Sequence, residues 1–241
     1  MKKHISLSLL TLTPMLLTSC GGLKTITQEE FMPHYQAVCS SVKEKQVGFE
    51  NVKIFESGIF GRSYNYKEGE FYSYRYVAIA LIIPINQQDY TWIEDGRYYH
   101  CEIRVLDKLT YKKEINKEQF DNYMVSHKQT ILNELEEPLD KIDDLLEKDP
   151  EEYVSVDNTF SQHSNKDEGY RLSSKAVQNI GDNQTKTIEY NIDFTDARPT
   201  SFETKEEGSN ARTWTYSYGN ASFNKPSDSR IDPPTETSQN S

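Results

Sequence analysis

The chain has 241 residues, enough for one sizeable domain or two small ones, and with 35% hydrophobic and 27% charged residues its surface should be very polar. Its formal charge is −11, from 38 acidic and 27 basic side chains, and no basic stripe interrupts the acidic residues. Because such a charge repels phosphate, we expect no nucleic-acid partner.

The first twenty residues differ from the rest of the chain. A short cationic start, MKKH, precedes an apolar stretch of about 13 residues, ISLSLLTLTPMLL. This layout predicts a signal peptide over residues 1–19, because the apolar stretch is too short for a transmembrane helix.

The end of this segment, LTSC at residues 17–20, resembles the bacterial lipobox, and two glycines follow it. The resemblance implies a diacylglycerol on the Cys20 thiol, cleavage just before it, and a lipoprotein anchored outside the cytoplasm. The alternative is an ordinary signal peptide whose cleavage site contains a cysteine. Loss of two lysines with the signal leaves 25 bases and 38 acids, a charge of −13, so acyl chains are expected to be the sole membrane anchor.

Two further cysteines, Cys39 and Cys101, remain in the exported part of the chain. An even remainder permits one disulfide in an oxidising compartment. The alternative is two buried thiols that act as small hydrophobic residues. The sequence leaves both open.

A short linker is predicted over residues 20–26 and a single folded domain over residues 27–224. Thr27 and Glu30 form a capping box that opens a first helix, which should end near Gly48. The apolar positions of this helix recur every three or four residues and form one face: Phe31, Tyr35, Val38 and Val42.

From residue 49 to about residue 109 the hydrophobic period is two, which predicts antiparallel meander strands. We expect one long strand over residues 70–84, a turn from Pro84 to Asp89, and a tight turn at Glu94-Asp95-Gly96. The stretch YVAIALIIP at residues 76–84 is apolar on both faces. Leaving roughly 150 Å² of one face in water would cost about 4 kcal/mol, so the sheet must curl around it, or a cavity or partner must cover it.

A second helical section is predicted from Asn116, which forms a capping arrangement with Gln119, to about Lys148. Pro138 should kink or break it. Five strand segments follow, each with one apolar and one polar face. Residues 225–241 have almost nothing to bury and are predicted to be a disordered tail.

This order of elements is similar to that of the LolA/LolB superfamily and its LppX/LprG lipoprotein branch. WIEDGRYYHC and YSYGNASFNKPSD look like a hairpin and the terminal strand of that group. The resemblance implies an α+β fold, a strongly curved antiparallel sheet forming an unclosed barrel, with the N-terminal helix and the long Pro-broken helical section on its concave side. It also implies a cavity for a lipid or other apolar ligand, with the expected lining Tyr76, Ala78, Ala80, Ile82, Ile131, Leu135 and Leu139.

The sequence contains no serine elbow, phosphate loop or zinc-ligand spacing, so we expect no enzyme, no cofactor and no metal site. His100, Cys101 and Glu102 are consecutive on a predicted strand, where neighbouring side chains point to opposite faces and cannot share one metal. His127 is expected to be a packed histidine.

Three functions remain open for a membrane-bound protein of this kind. The first is binding of a lipid or other apolar ligand between sheet and helices. The second is an envelope interaction module whose tyrosine-rich face binds a protein or glycan partner. The third is a hydrolase that the motifs do not reveal.

Overall fold

A computed structural model describes residues 22–44, 51–57, 60–79, 83–104, 110–165, 169–182, 184–219, 221–222 and 225–226. Most of these residues are in strands. The strands are β1 (Leu23–Ile26), β2 (Asn51–Ser57), β3 (Phe60–Lys67), β4 (Glu70–Ile79), β5 (Ile83–Glu94), β6 (Arg97–Arg104), β7 (Thr110–Ile115), β8 (Tyr153–His163), β9 (Tyr170–Asn179), β10 (Thr185–Phe194), β11 (Pro199–Glu206) and β12 (Arg212–Tyr218).

All twelve strands belong to one antiparallel sheet, in the order β1-β8-β9-β10-β11-β12-β2-β3-β4-β5-β6-β7. Most neighbours are consecutive hairpin strands, and only the pairs β1–β8 and β12–β2 join distant parts of the chain. In the described part of the chain β1 and β7 form the two edges and do not pair with each other, so the sheet is unclosed. The predicted antiparallel sheet is confirmed.

The helices begin where the capping boxes predicted them. Helix α1 spans Gln28–Cys39 and is followed by a π-helical turn at Ser40–Glu44, and α2 spans Lys117–Glu147. Both capping boxes are formed, with the side chains of Thr27 and Asn116 accepting from the third helical N–H. Helix α2 ends at Lys148, whose φ of 54° is left-handed, just before Pro150.

Pro138 was predicted to kink or break the second helix, and the break is not found, because α2 is continuous over 31 residues. A proline has no N–H, so the carbonyl of Glu134, four residues earlier, loses its helical partner. The Tyr216 hydroxyl on β12 donates a hydrogen bond to that carbonyl at 3.1 Å. A side chain from the sheet therefore supplies the donor that proline lacks.

Both helices pack on one face of the sheet. At 1.5 Å per residue α2 is about 46 Å long, and it contacts strands from β6 on one side to β8 on the other. The main core lies between these layers. Its fully buried side chains include Phe31, Ile54, Tyr64, Ile131, Leu135, Leu139, Ile142, Leu145, Leu172, Ile192 and Phe194.

The apolar run at residues 76–84 is divided between two strands, so the prediction of one long strand followed by a turn is wrong. Strand β4 ends at Ile79, β5 begins at Ile83, and Ala78 pairs with Pro84. The predicted turn residues up to Asp89 are part of β5. Pro84 lies at the start of β5, before the described pairing of β5 with β6 begins at Gln87, and the start of a strand tolerates proline.

The predicted linker and tail both contain residues that are attached to the sheet. Leu23–Ile26, within the linker, forms edge strand β1. Lys225, within the tail, places Nζ 2.8 Å from Glu94 Oε1 on β5. The signal peptide, Cys20, Gly48 and residues 227–241 lie outside the described residues. Among the described residues, no helix has the length and apolar composition needed to cross a membrane.

Cys39 and Cys101 are thiols that are not joined to each other. Cys39 is half-buried against the main core, whereas Cys101 is fully buried in a smaller cluster with Tyr90 and Trp92. Because the two cysteines belong to separate clusters, the disulfide that the sequence permitted is not formed.

Candidate functional site

The predicted cavity lining divides into two groups. Ile131, Leu135 and Leu139 on α2 are 0–1% exposed and belong to the main core. Tyr76 and Ala78 lie on β4, but their side chains, and the whole of Ala80 and Ile82, lie outside the described residues. The structure therefore brings the three helix residues together in a packed core.

The sheet face opposite the helices carries a cleft of about 260 Å³. The side chains that face the helices from β2 and β3, such as Ile54 and Tyr64, belong to the core, so their strand neighbours face outward. The cleft is lined by outward side chains from β2 to β5 and one residue after β12: Lys53, Ser63, Asn65, Tyr72, Tyr90 and Ser222. We call this site the outer-face cleft.

Asn65 occupies the floor of the outer-face cleft. It is 7% exposed, and its side-chain carbonyl Oδ1 has no hydrogen-bond partner among the described residues. The rings of Tyr72 and Tyr90 lie beside it, with centroids 4.7 Å apart, and Tyr90 Oη donates to Gln88 Oε1 at 2.8 Å. A buried acceptor beside aromatic rings suits a ligand that carries hydroxyl or N–H groups.

The segment after β12 closes one side of this cleft. The backbone N–H of Gly219 donates to the Asn51 carbonyl at 2.8 Å, and that of Ala221 donates to Asn51 Oδ1 at 2.6 Å. These bonds hold Ser222 at the rim. Farther along, the hydrogen bond from Lys225 is the main cause that lowers the pKa of Glu94 to about 2.

A polar cluster lies on the helix-facing side of β5 and β6, where α2 begins. Thr91 Oγ1 lies 3.1 Å from His100 Nδ1 and 3.0 Å from His127 Nε2. His100 Nδ1 is also 3.6 Å from Asp89 Oδ1, and His100 Nε2 is 3.5 Å from Glu102 Oε1. His100, Thr91 and His127 are buried, so the expectation that His127 is packed is confirmed.

Burial shapes the charges of this polar cluster. Burial, followed by the charge of Glu102, raises the pKa of Asp89 to about 7, while Arg75 opposes the shift. Burial lowers the pKa of His100. Burial also lowers the pKa of His127, to about 3, and the nearby His100 adds a smaller lowering effect. His127 is therefore a neutral imidazole at physiological pH.

Cys101 lies in the smaller cluster with Tyr90 and Trp92, so the consecutive residues His100, Cys101 and Glu102 do not form one ligand set. His100 and Glu102 are two positions apart and share a face. Asp89 is the direct cross-strand partner of Glu102. Donor atoms of Asp89, His100 and Glu102 all lie within 4.8 Å of one another. The sequence does contain a signal for this cluster. Counting residue pairs outward from the Asp95-Gly96 turn places Asp89 opposite Glu102.

Comparisons with known proteins add no family. No family model and no curated protein matches the chain. Among solved structures, it is similar to DNA polymerase III subunit beta of Pseudomonas aeruginosa at 11% identity and TM-score 0.15, covering 88% of this chain and 68% of that one. The griselimycin-bound sliding clamp of Bartonella birtlesii gives 9% identity and TM-score 0.17 with the same coverage. Such TM-scores are too low to carry an argument about fold or function.

Proposed function

We propose that the protein is a non-enzymatic lipoprotein, held outside the cytoplasm of a bacterium by a diacylglycerol on Cys20, which binds a glycan through the outer-face cleft. The lipobox at residues 17–20 supports the anchor. The observation that carries the binding function is the buried, unpartnered Oδ1 of Asn65 beside the rings of Tyr72 and Tyr90.

The composition of the outer-face cleft favours a polar, uncharged partner. Tyrosine rings offer apolar faces for sugar rings, and Asn65, Ser63 and Ser222 offer hydrogen bonds to hydroxyl groups. The net charge of the mature chain, −13, opposes a polyanionic partner. A protein partner would bind the same tyrosines, so binding of a protein in place of a glycan is the competing outcome of the experiments.

The anchor would orient the body at the membrane. Leu23 begins β1 only three residues after Cys20, so the tether spans at most about 10 Å. The β3–β4, β5–β6 and β8–β9 turns lie at the same end of the sheet, as the register of the strands requires. Ile79 and Ile83 lie at the opposite end. We also propose that the sheet is strongly curved around the helices, since twist accumulates over twelve strands.

The cleft is tested with the full-length chain on an array of neutral and charged envelope glycans. Asn65→Ala and Tyr72→Ser should each reduce binding at least tenfold. Asn122→Ala, an exposed position on α2, is the matched control and should bind normally. Equal glycan binding by all variants would contradict the glycan proposal. So would a chain that binds no glycan but recovers a single protein from membranes, if that recovery is lost in Tyr72→Ser.

The anchor is tested separately with Cys20→Ala, comparing membrane and soluble fractions and the intact mass of each. We expect the variant to leave the membrane fraction and to lack the mass of the acylated cysteine. A Cys20→Ala chain that stays in washed membranes, or a native chain cleaved without acylation, would contradict lipidation.

A lipid or other apolar ligand is the second candidate, and an unclosed sheet with helices on one face supports it through the resemblance to lipoprotein carriers. Such a ligand would have to displace part of the core around Leu135 and Leu139. Solvent extraction of chain purified from its own membrane should then yield lipid in fixed ratio to protein. Repeatedly empty preparations would dismiss this candidate.

A further inference from the structure

The polar cluster on the helix-facing side has the donors of a metal site that is separate from the outer-face cleft. We propose that Asp89, His100 and Glu102 bind one divalent first-row transition-metal ion, for which Zn²⁺ is the best match. The three side chains come from two strands joined by one tight turn, so little chain entropy is lost when they converge.

The distances suit an ion of this size. In a tetrahedral zinc site with bonds of about 2.0–2.2 Å, adjacent ligand atoms lie about 3.4 Å apart. His100 Nε2 and Glu102 Oε1 are 3.5 Å apart, and one donor atom from each of Asp89, His100 and Glu102 lies within 4.8 Å of the other two. Asp89 Oδ1 lies 3.6 Å from the other ring nitrogen, Nδ1, so the Asp89 side chain has to turn toward Nε2 when the ion binds.

The histidine is held for this role by its other ring nitrogen. Nδ1 of His100 contacts Thr91 Oγ1 at 3.1 Å, and Thr91 Oγ1 contacts His127 Nε2 at 3.0 Å. The Tyr123 ring stacks on His100 with centroids 4.1 Å apart. Metal-binding histidines are commonly oriented by such a bond, which leaves Nε2 directed at the ion.

The two carboxylates of the set face each other across the strands. Asp89 and Glu102 are directly opposite on neighbouring strands, where like charges are destabilising. Asp89 Oδ1 is buried and has no hydrogen-bond partner among the described residues. A divalent ion between the two carboxylates would offset their mutual repulsion.

The ligand set selects among ions and leaves one position open. An imidazole together with two carboxylates suits zinc and its neighbours better than Ca²⁺ or Mg²⁺, which prefer oxygen ligands alone. Three protein ligands leave a fourth position for water. The Glu102 side chain is 38% exposed, which provides a path for the ion from solvent.

The test uses the full-length, untagged chain, stripped with EDTA and titrated with Zn²⁺ by calorimetry, with the melting temperature followed in parallel. We expect one ion per chain and a rise in melting temperature. His100→Gln and Glu102→Gln should weaken binding at least tenfold. The matched control is His34→Gln, because His34 pairs with Asp196 on the surface and should bind Zn²⁺ as the native chain does.

Two results would overturn the proposal. One is no Zn²⁺ binding by the native chain, or binding by His100→Gln that equals that of the native chain while this variant still unfolds cooperatively in EDTA. The other is an equal effect of Ca²⁺, which would show a non-selective acidic surface. Since the glycan array uses other residues, loss of glycan binding and loss of zinc binding are distinguishable failures.

Discussion

The hydroxyl of Tyr216 on β12 donates a hydrogen bond to the carbonyl of Glu134 in the middle of α2, across 82 residues of chain. That carbonyl is the one that Pro138 cannot serve. The contact is buried and joins the helix to the centre of the sheet. A side chain from another element therefore makes the hydrogen bond that Pro138 removes from the helix.

Removing this hydroxyl should destabilise the protein. In Tyr216→Phe the Glu134 carbonyl is left buried without a donor, which costs about 1–3 kcal/mol. Urea unfolding followed by circular dichroism measures the free energy of unfolding. A loss below the error of that measurement would contradict the role assigned to the hydroxyl.

A double-mutant cycle with Pro138→Ala provides the control. Alanine restores the N–H at position 138, which competes for the same carbonyl. Tyr216→Phe should therefore cost less in the Pro138→Ala background than in the native chain. Equal costs in the two backgrounds would show that the hydroxyl does not replace the missing N–H.

Asp193 should make stability depend on pH. It is buried and accepts two bonds from Arg171, at 2.6 and 2.7 Å, and others from Ser201 and His163. Burial alone would raise its pKa, but the bonds from Arg171, Ser201 and His163 outweigh burial and lower it. A lowered pKa stabilises the folded state above the unfolded value of about 3.9, and this stability is lost as pH falls through the folded value.

The variant Asp193→Asn should consequently be less stable than the native chain at neutral pH, and this difference should shrink at acidic pH. Breaking a buried ion pair costs about 3–5 kcal/mol, and the partial exposure of Arg171 reduces this to about 2 kcal/mol. Urea unfolding at pH 7 and pH 3 measures the free energy of unfolding of the native chain and of the variant. The difference between the two should be smaller at pH 3 than at pH 7. A difference of constant size would contradict the pKa shift.

Gly169 is predicted to be the least replaceable glycine of the described turns. Its φ is +83°, and an added Cβ would lie 2.1 Å from the Phe194 carbonyl oxygen. Gly169→Ala should cost about 2–5 kcal/mol from backbone strain and overlap together. Gly208, with φ of +79° and open space around it, is the control and should cost only about 1–2 kcal/mol. Thermal unfolding measures the loss of stability in both variants. Similar losses in the two would refute the steric argument for Gly169.

The two cysteines should be present as thiols that react slowly. Cys101 is fully buried, and burial raises the pKa of the Cys39 thiol, so alkylation should be slow for both in the folded protein. In a Cys20→Ala chain, mass spectrometry after labelling in denaturant without reductant should find two alkylated thiols. A chain that takes up no label until reduced would show a disulfide.

The helices were the most predictable part of the fold, because their signals are local. Thr27 and Asn116 carry their capping partners three residues away, and both helix starts follow from that spacing. The continuity of α2 could not be predicted in the same way. The donor that replaces the missing N–H is Tyr216, whose position beside Glu134 exists only after the sheet has formed.

Residues of the polar cluster and of the outer-face cleft could be predicted only where the sequence also predicts which strand residues pair. The Asp95-Gly96 turn fixes the pairing of Asp89 with Glu102, so two members of the polar cluster could have been derived from it. His127 could not, because its contact with Thr91 depends on how α2 lies across the sheet. The outer-face cleft needs β12, and hence Ser222, beside β2, a pairing with no local signal.

An open sheet has two rims, and each exposes a row of backbone groups to which other chains can bind. One rim, β1, has only four residues, and the other, β7, carries the exposed charges of Lys113 and Glu114. A short rim and a charged rim both discourage strand addition from a second molecule. If Cys20 is acylated as proposed, these two rims would protect the crowded, membrane-bound molecules from joining edge to edge into fibrils.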